Sequence, residues 1–207
     1  MEERFESPEV LGILHRPAQP NGHGIVLTHG AGSNKDAPVM VKLTRAFEEM
    51  GYTVLRYDLP FRRLRASGSP NPSNAARDRE GVRQAVAAMR TIVAGSIVAG
   101  GHSYGGRQTA MAAAEEAGLD VASLVLFSYP LHPPGQPAKL RTDYFPNLHK
   151  PVLFVHGTKD PFGTPDELRA HLPLIPAPTQ IIEIPGGGHD LKRAPESAQQ
   201  IVERMLF

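Results

Sequence analysis

The 207-residue chain alternates two kinds of segment, and that alternation constrains the fold more than any other feature. Short runs rich in Val, Ile and Leu recur at 25–30 (IVLTHG), 53–58 (TVLRYD), 96–101 (SIVAGG), 122–130 (ASLVLFSYP), 151–157 (PVLFVHG) and 180–186 (QIIEIPG). Unbroken β-branched runs of this kind are expected of strands covered on both faces, as in a parallel sheet. Between them lie segments with helical spacing. Residues 37–52 place Val39, Leu43, Ala46, Phe47 and Met50 on one stripe, closed by Gly51 as a C-terminal cap. Residues 74–93, with Asn74 as N-cap, and 106–118, 164–172 and 194–206 are read as further helices. Residues 3–15, interrupted by Pro8, predict an antiparallel hairpin at a sheet edge. Strands alternating with helices predict the α/β class: a mainly parallel central sheet of about seven to eight strands, helices on both faces and right-handed crossovers. With no repeat, low-complexity linker or second core in the pattern, residues 1–207 are expected to form a single domain.

In sheets of this kind ligands bind outside the carboxyl ends of the strands, so the residues just after each strand carry the chemistry. Three such ends supply a serine, an acid and a histidine, in that order. Ser103 follows the strand at 96–101, Asp160 the strand at 151–157, and His189 the strand at 180–186. Residues 101–105, GHSYG, fit G-x-S-x-G between a strand and a helix. A serine on so sharp a turn is strained, and side chains two positions to either side would collide, which accounts for Gly101 and Gly105. A serine hydroxyl is a weak nucleophile until a base takes its proton. His189 is the expected base, and Asp160 the acid that orients its ring and stabilises the imidazolium. An oxyanion would be met by backbone N–H groups, that of Tyr104 after the nucleophile and that of Ala31 in the loop after the first core strand.

With these segments in view the chain resembles the α/β-hydrolase family. GGHSYGG (100–106) looks like its nucleophile elbow, HGAG (29–32) like its oxyanion loop, HGTKDPF (156–162) like its acid loop and GGGHDL (186–191) like its histidine loop. The likeness spans nearly the whole chain. It is nearest to small, almost lidless hydrolases of the dienelactone-hydrolase-like and testis-expressed/KANL-like groups, although dienelactone hydrolases carry Cys where this chain has Ser103. The resemblance implies an α/β-hydrolase fold and a serine hydrolase of carboxylesterase type, acting on a small-molecule acyl substrate without a cofactor. Only residues 131–150, rich in Pro, stand where larger members insert a cap, so no large cap domain is expected.

Further candidates border this site. His29 and Gly30 are expected to face substrate from the oxyanion loop. His102 belongs to the elbow itself, and His156 lies within a strand. His15, His23, His132, His149 and His171 are read as surface or loop residues. Arg62, Arg63 and Arg65 have two readings, a solvated loop or a cleft border that attracts an anionic substrate, and Arg107 in the first turn after the elbow is a second candidate of that kind.

Other classes fit less well. GAG (30–32), with Asp58 ending the next strand, imitates a dinucleotide-binding unit, but Lys35 stands where the third glycine is needed, and the acid reads better as a loop anchor. H-x-H and H-E-x-x-H spacings are absent, so no metal is expected. A non-catalytic α/β-hydrolase-fold binding or scaffold protein is the remaining alternative. The formal net charge of +1 gives no reason to expect a nucleic-acid or membrane partner. The absence of cysteine excludes disulfides and a thiolate nucleophile and fits a reducing compartment. The charged start, MEERFESPEV, lacks the apolar core of a signal peptide, and a cytoplasmic location is the expectation.

Overall fold

A computed structural model describes residues 1–116 and 118–205. The chain order is β1 (Glu2–Glu6), β2 (Leu11–His15), β3 (Gly24–Thr28), α1 (Pro38–Glu49), β4 (Thr53–Tyr57), α2 (Pro60–Leu64), α3 (Ala75–Arg90), β5 (Ile97–His102), α4 (Tyr104–Ala114), β6 (Ser123–Phe127), β7 (Val152–Gly157), α5 (Pro165–His171), β8 (Thr179–Ile184) and α6 (Ala198–Arg204). The eight strands form one sheet in the order β1-β2-β4-β3-β5-β6-β7-β8. β1 and β2 pair antiparallel, β2 pairs antiparallel with β4, and every later pair is parallel. The expected edge hairpin and parallel body are both present.

Alternation along the strands sends side chains into two separate cores. Ile25, Leu27, Val125 and Phe127 pack with Met40, Leu43 and Phe47 of α1 and Ile201 of α6. Val26, Leu124 and Leu126 point the other way, onto Val82, Val86 and Met89 of α3 and Ala110 and Ala113 of α4. Buried on both faces, β3, β4 and β6 show no exposed position, which is why their sequences read as unbroken apolar runs. Residues 131–150 form no cap. Phe145 and Leu148 are fully buried in the core beside α3 and α4 and fasten this segment down. Among the described residues no helix is long and apolar enough to cross a membrane.

Several local expectations need correction. Asn74 stands at the start of α3 without a side-chain capping bond. Asn71 instead accepts from the Ser73 N–H and caps a short 3-10 turn that leads into the helix. The Arg-rich stretch contains α2, and Arg62 is buried. His15 is neither a surface nor a loop residue, and His132 is in a loop, as expected, but is buried there. His15 is fully buried, its Nδ1–H donating to Glu48 (3.0 Å) while its Nε2 accepts from Arg56 (3.1 Å). His132 donates from Nδ1 to the Pro133 carbonyl at 2.9 Å. The expected helices over 106–118 and 194–206 extend onto Ala117 and Leu206, which lie outside the described residues.

Phe47 anchors α1 to the sheet and is fully buried. Phe47→Ala should therefore lower the unfolding free energy by about 3–5 kcal/mol in urea titrations, because the deleted ring leaves a cavity that rigid strands cannot close.

Candidate active site

The parallel strands end together, and the candidate residues collect at that edge. β5 and β6 pair through His102 and Phe127, and the Ser103 N–H donates to the Phe127 carbonyl at 2.8 Å. Ser103 has φ 52° and ψ −118°, a strained conformation for a residue with a side chain. Its neighbours make the turn possible by lacking side chains. A Cβ on Gly101 would sit 2.7 Å from the Thr28 carbonyl oxygen, and one on Gly105 would overlap the His29 carbonyl oxygen. A Cβ on Gly106 would lie 2.5 Å from the Gly101 oxygen, so α4 starts pressed against β5.

His189 Nε2 lies 2.8 Å from Ser103 Oγ, and its Nδ1 lies 2.9 and 3.0 Å from the two Asp160 oxygens. A carboxylate only accepts, so the Nδ1 proton faces Asp160, and the Nε2 lone pair accepts from the serine hydroxyl. Asp160 is almost fully buried and also accepts from the Phe162 N–H at 2.9 Å. Burial pushes its carboxyl up, but the hydrogen bond and charge of His189 and the Phe162 N–H outweigh this and hold it below the usual carboxylate range. His156, buried beneath, donates from Nε2 to the Gly163 carbonyl (2.7 Å), with that nitrogen 3.6 Å from Asp160. It therefore packs under the acid loop without competing for the serine.

Two contacts restrain the imidazole that the sequence reading did not identify. Phe162 stacks on the His189 ring with centroids 4.1 Å apart and planes at 29°. His102 Nε2 lies 2.6 Å from the His189 carbonyl oxygen, so that nitrogen carries a proton and ties the histidine loop to the elbow. The acid and histidine loops are also joined by the Lys159 N–H, which donates to the Gly187 carbonyl at 2.8 Å.

The oxyanion loop is braced from behind. The fully buried His29 donates from Nδ1 to the Gly30 carbonyl (2.9 Å) and accepts at Nε2 from the Leu59 N–H (3.2 Å). Both ring nitrogens are used, so His29 does not face substrate as expected. A planar trans peptide directs its C=O and N–H oppositely, so fixing the Gly30 carbonyl toward His29 aims the Ala31 N–H away from that ring. Among the described residues neither the Ala31 nor the Tyr104 N–H donates to another group. Gly30 is buried beside the elbow, where a Cβ would come 3.0 Å from His102 Nδ1. Arg62 gives its guanidinium to the carbonyls of Ser33 (2.7 Å), Ala31 (2.9 Å), Gly68 (3.0 Å) and Arg65 (3.1 Å). It holds the loop in shape and retains no free face for an anionic ligand. Asp58 accepts from the Lys35 N–H at 2.7 Å and anchors the same loop, as expected. A cavity of about 290 Å³ opens beside the elbow, with Ala37, Pro38 and Val39 as apolar walls and Ser33, Lys42, His102, Asp190 and Lys192 completing the lining.

Burial, together with the nearby His189, pushes the His102 imidazole down to about 4, although its donated hydrogen bond acts in the opposite direction. A histidine whose folded value lies below its unfolded value near 6.5 contributes stability that is complete above that pH and is lost as pH falls toward the folded value. On lowering pH from 7 to 5, His102→Gln, which keeps a donor but cannot titrate, should lose about 1–2 kcal/mol less unfolding free energy than the native chain. Urea titrations at both pH values measure this. Equal losses would mean that His102 does not resist protonation in the fold.

The sequence matches the family described as "Alpha/beta hydrolase domain" over residues 21–205. Similar solved structures include an alpha-beta serine hydrolase homologue from Coxiella burnetii (TM-score 0.76, 18% identity, 99% of this chain and 97% of that one). A lidless a/b serine hydrolase from Xanthomonas campestris superposes with a TM-score of 0.77 at 18% identity, covering 100% and 94% of the two chains. The dienelactone hydrolase from Anabaena variabilis gives 0.74 at 21% identity, covering 98% and 95%. Likeness at this level of identity concerns the fold, a small α/β-hydrolase architecture without a cap domain. By the extent of the family match, the chain belongs to the alpha/beta hydrolase domain family.

Proposed function

We propose that the protein is a serine hydrolase of carboxylesterase type, acting on a small carboxylic ester or related acyl compound through an acyl-enzyme. The observation that carries this reading is the unbroken hydrogen-bonded line from Asp160 through His189 to Ser103, with its proton order fixed by the carboxylate. As Ser103 Oγ bonds to the substrate carbonyl carbon, its proton passes to His189 Nε2. The carbonyl electron pair moves onto oxygen, where the N–H groups of Ala31 and Tyr104 are the candidate donors. Collapse breaks the bond to the leaving group, which takes the proton from His189 as it departs. A water then gives its proton to His189 and attacks the acyl-enzyme. The second collapse returns the proton to Ser103 and frees the acid.

Asp160 supports both halves by staying ionised beside an imidazole that becomes positive. Its lowered proton affinity keeps the carboxylate available across the neutral range. The apolar-walled cavity beside His102 is the candidate seat for one half of the ester. The lack of cysteine fits a cytoplasmic setting.

A fluorophosphonate probe should label the native protein at Ser103, located by peptide mass spectrometry, and Ser103→Ala should not be labelled. On p-nitrophenyl acetate, Ser103→Ala and His189→Ala should each lose about 10⁴-fold or more in kcat, and Asp160→Asn about 10³–10⁴-fold. Native protein that neither reacts with the probe nor turns over the ester would point instead to a binding or scaffold role.

A further inference from the structure

Arg107 stands one turn into α4, its backbone N–H donating to the Ser103 carbonyl at 2.9 Å, so its backbone lies one helical turn from the candidate nucleophile. Its Nε is buried without a hydrogen-bond partner, and no ion pair or ring contact engages the guanidinium among the described residues. A buried N–H donor with nothing to bond is costly, and a native structure that keeps one generally has a use for it. Arg83 also leaves its Nε unbonded, but its Nη groups pair with Glu80 and Glu115, whereas Arg62 is held by four carbonyls and Arg56 by His15, the Lys35 carbonyl and Asp36.

A second arginine lies in the same neighbourhood. Residues 128–131 continue from β6, whose Phe127 pairs with His102. Arg141 is hung on that segment, its N–H donating to the Leu131 carbonyl at 2.9 Å and its Nη1 to the Pro130 carbonyl at 3.3 Å. No carboxylate pairs with it within 4.0 Å among the described residues. Burial, and then the positive charge of Arg107, pull the proton affinity of Arg141 below its ordinary range. The tyrosines beside these groups offer no substitute donor. Tyr129 gives its proton to the Arg141 carbonyl and accepts from the Tyr144 hydroxyl at 2.7 Å, which uses the protons of both. Two guanidinium groups without a counter-ion among the described residues, one on the helix after the elbow and one on the segment after the strand paired with it, describe a receptor for a planar anion.

We propose that Arg107 and Arg141 bind a carboxylate of the substrate, so that the compound hydrolysed carries an acid group in addition to the acyl bond that Ser103 attacks. This rests on the hydrolase reading above and narrows it from esters in general to anionic ones.

The test compares isosteric pairs by pH-stat: monoethyl glutarate against ethyl pentanoate for an acid on the acyl side, and 4-acetoxybutanoate against butyl acetate for one on the alcohol side. The native protein should favour the charged member of at least one pair by tenfold or more in kcat/KM, and less so as salt is raised. Arg107→Gln and Arg141→Gln should each lose at least tenfold more on the charged ester than on its neutral partner, and Arg107→Lys should retain part of the preference. Equal preference in both pairs, or equal losses on charged and neutral esters as a merely structural arginine would give, overturns the proposal while leaving the hydrolase reading intact. Calorimetric titration with glutarate separates the opposite case. If no ester is turned over and no probe reacts, glutarate binding weakened tenfold or more in Arg107→Gln still supports the arginine site, and binding unchanged by that substitution overturns it.

Discussion

The backbone of Ser103 is the constraint on which the rest depends. A positive φ at a residue with a Cβ costs on the order of 1–3 kcal/mol, and it persists here because the surroundings leave no alternative. The Ser103 N–H is held by Phe127 on the neighbouring strand, and its carbonyl by the first turn of α4. β5 and α4 approach so closely at Gly101 and Gly106, with Gly105 pressed on the end of β3, that only the sharp turn joins them. Strain at one residue is thus balanced by sheet pairing and helix packing on both sides. The consequence is a hydroxyl projecting from the carboxyl edge of the sheet, followed by the Tyr104 N–H, which has no acceptor among the described residues.

The partners of Ser103 arrive from distant parts of the chain, and each is restrained by a contact outside the hydrogen-bonded line. His189 is gripped by the Phe162 ring and, through its carbonyl, by His102 of the elbow. Asp160 is fixed by the Phe162 N–H. The Ala31 N–H is aimed by His29 acting on the Gly30 carbonyl, while Arg62 and Asp58 hold the loop that follows. In the proposed reaction, such supporting contacts would keep these groups within the narrow geometry that general-base chemistry requires. They also explain why polar side chains are buried around the site: each saturates backbone groups that a non-regular loop leaves unpaired.

Much of this was legible in the sequence. The strand runs, the edge hairpin and α1 with Gly51 after it were evident because their periodicity is a direct print of two-sided or one-sided burial. Ser103, Asp160 and His189 were nameable because a strand end followed by glycine is a local signal, and local signals survive in one dimension. The errors have a common cause. His15 read as a surface or loop residue and is buried in β2, and Arg62 read as loop or ligand contact and is a brace. For polar side chains, composition and spacing do not tell which backbone carbonyl or carboxylate will be their partner.

The sequence by itself therefore determined the layered α/β architecture, the absence of room for a large cap in residues 131–150, and the identity and order of the three candidate groups. Each of these depends on near-neighbour pattern and on chain length. Only the tertiary structure decided how those groups are held: Phe162 over His189, His102 on its carbonyl, His29 behind Gly30, and the Arg107 Nε buried without a partner among the described residues. Those relations join residues far apart in the chain, and they form only when the parallel strands bring their carboxyl ends to one edge.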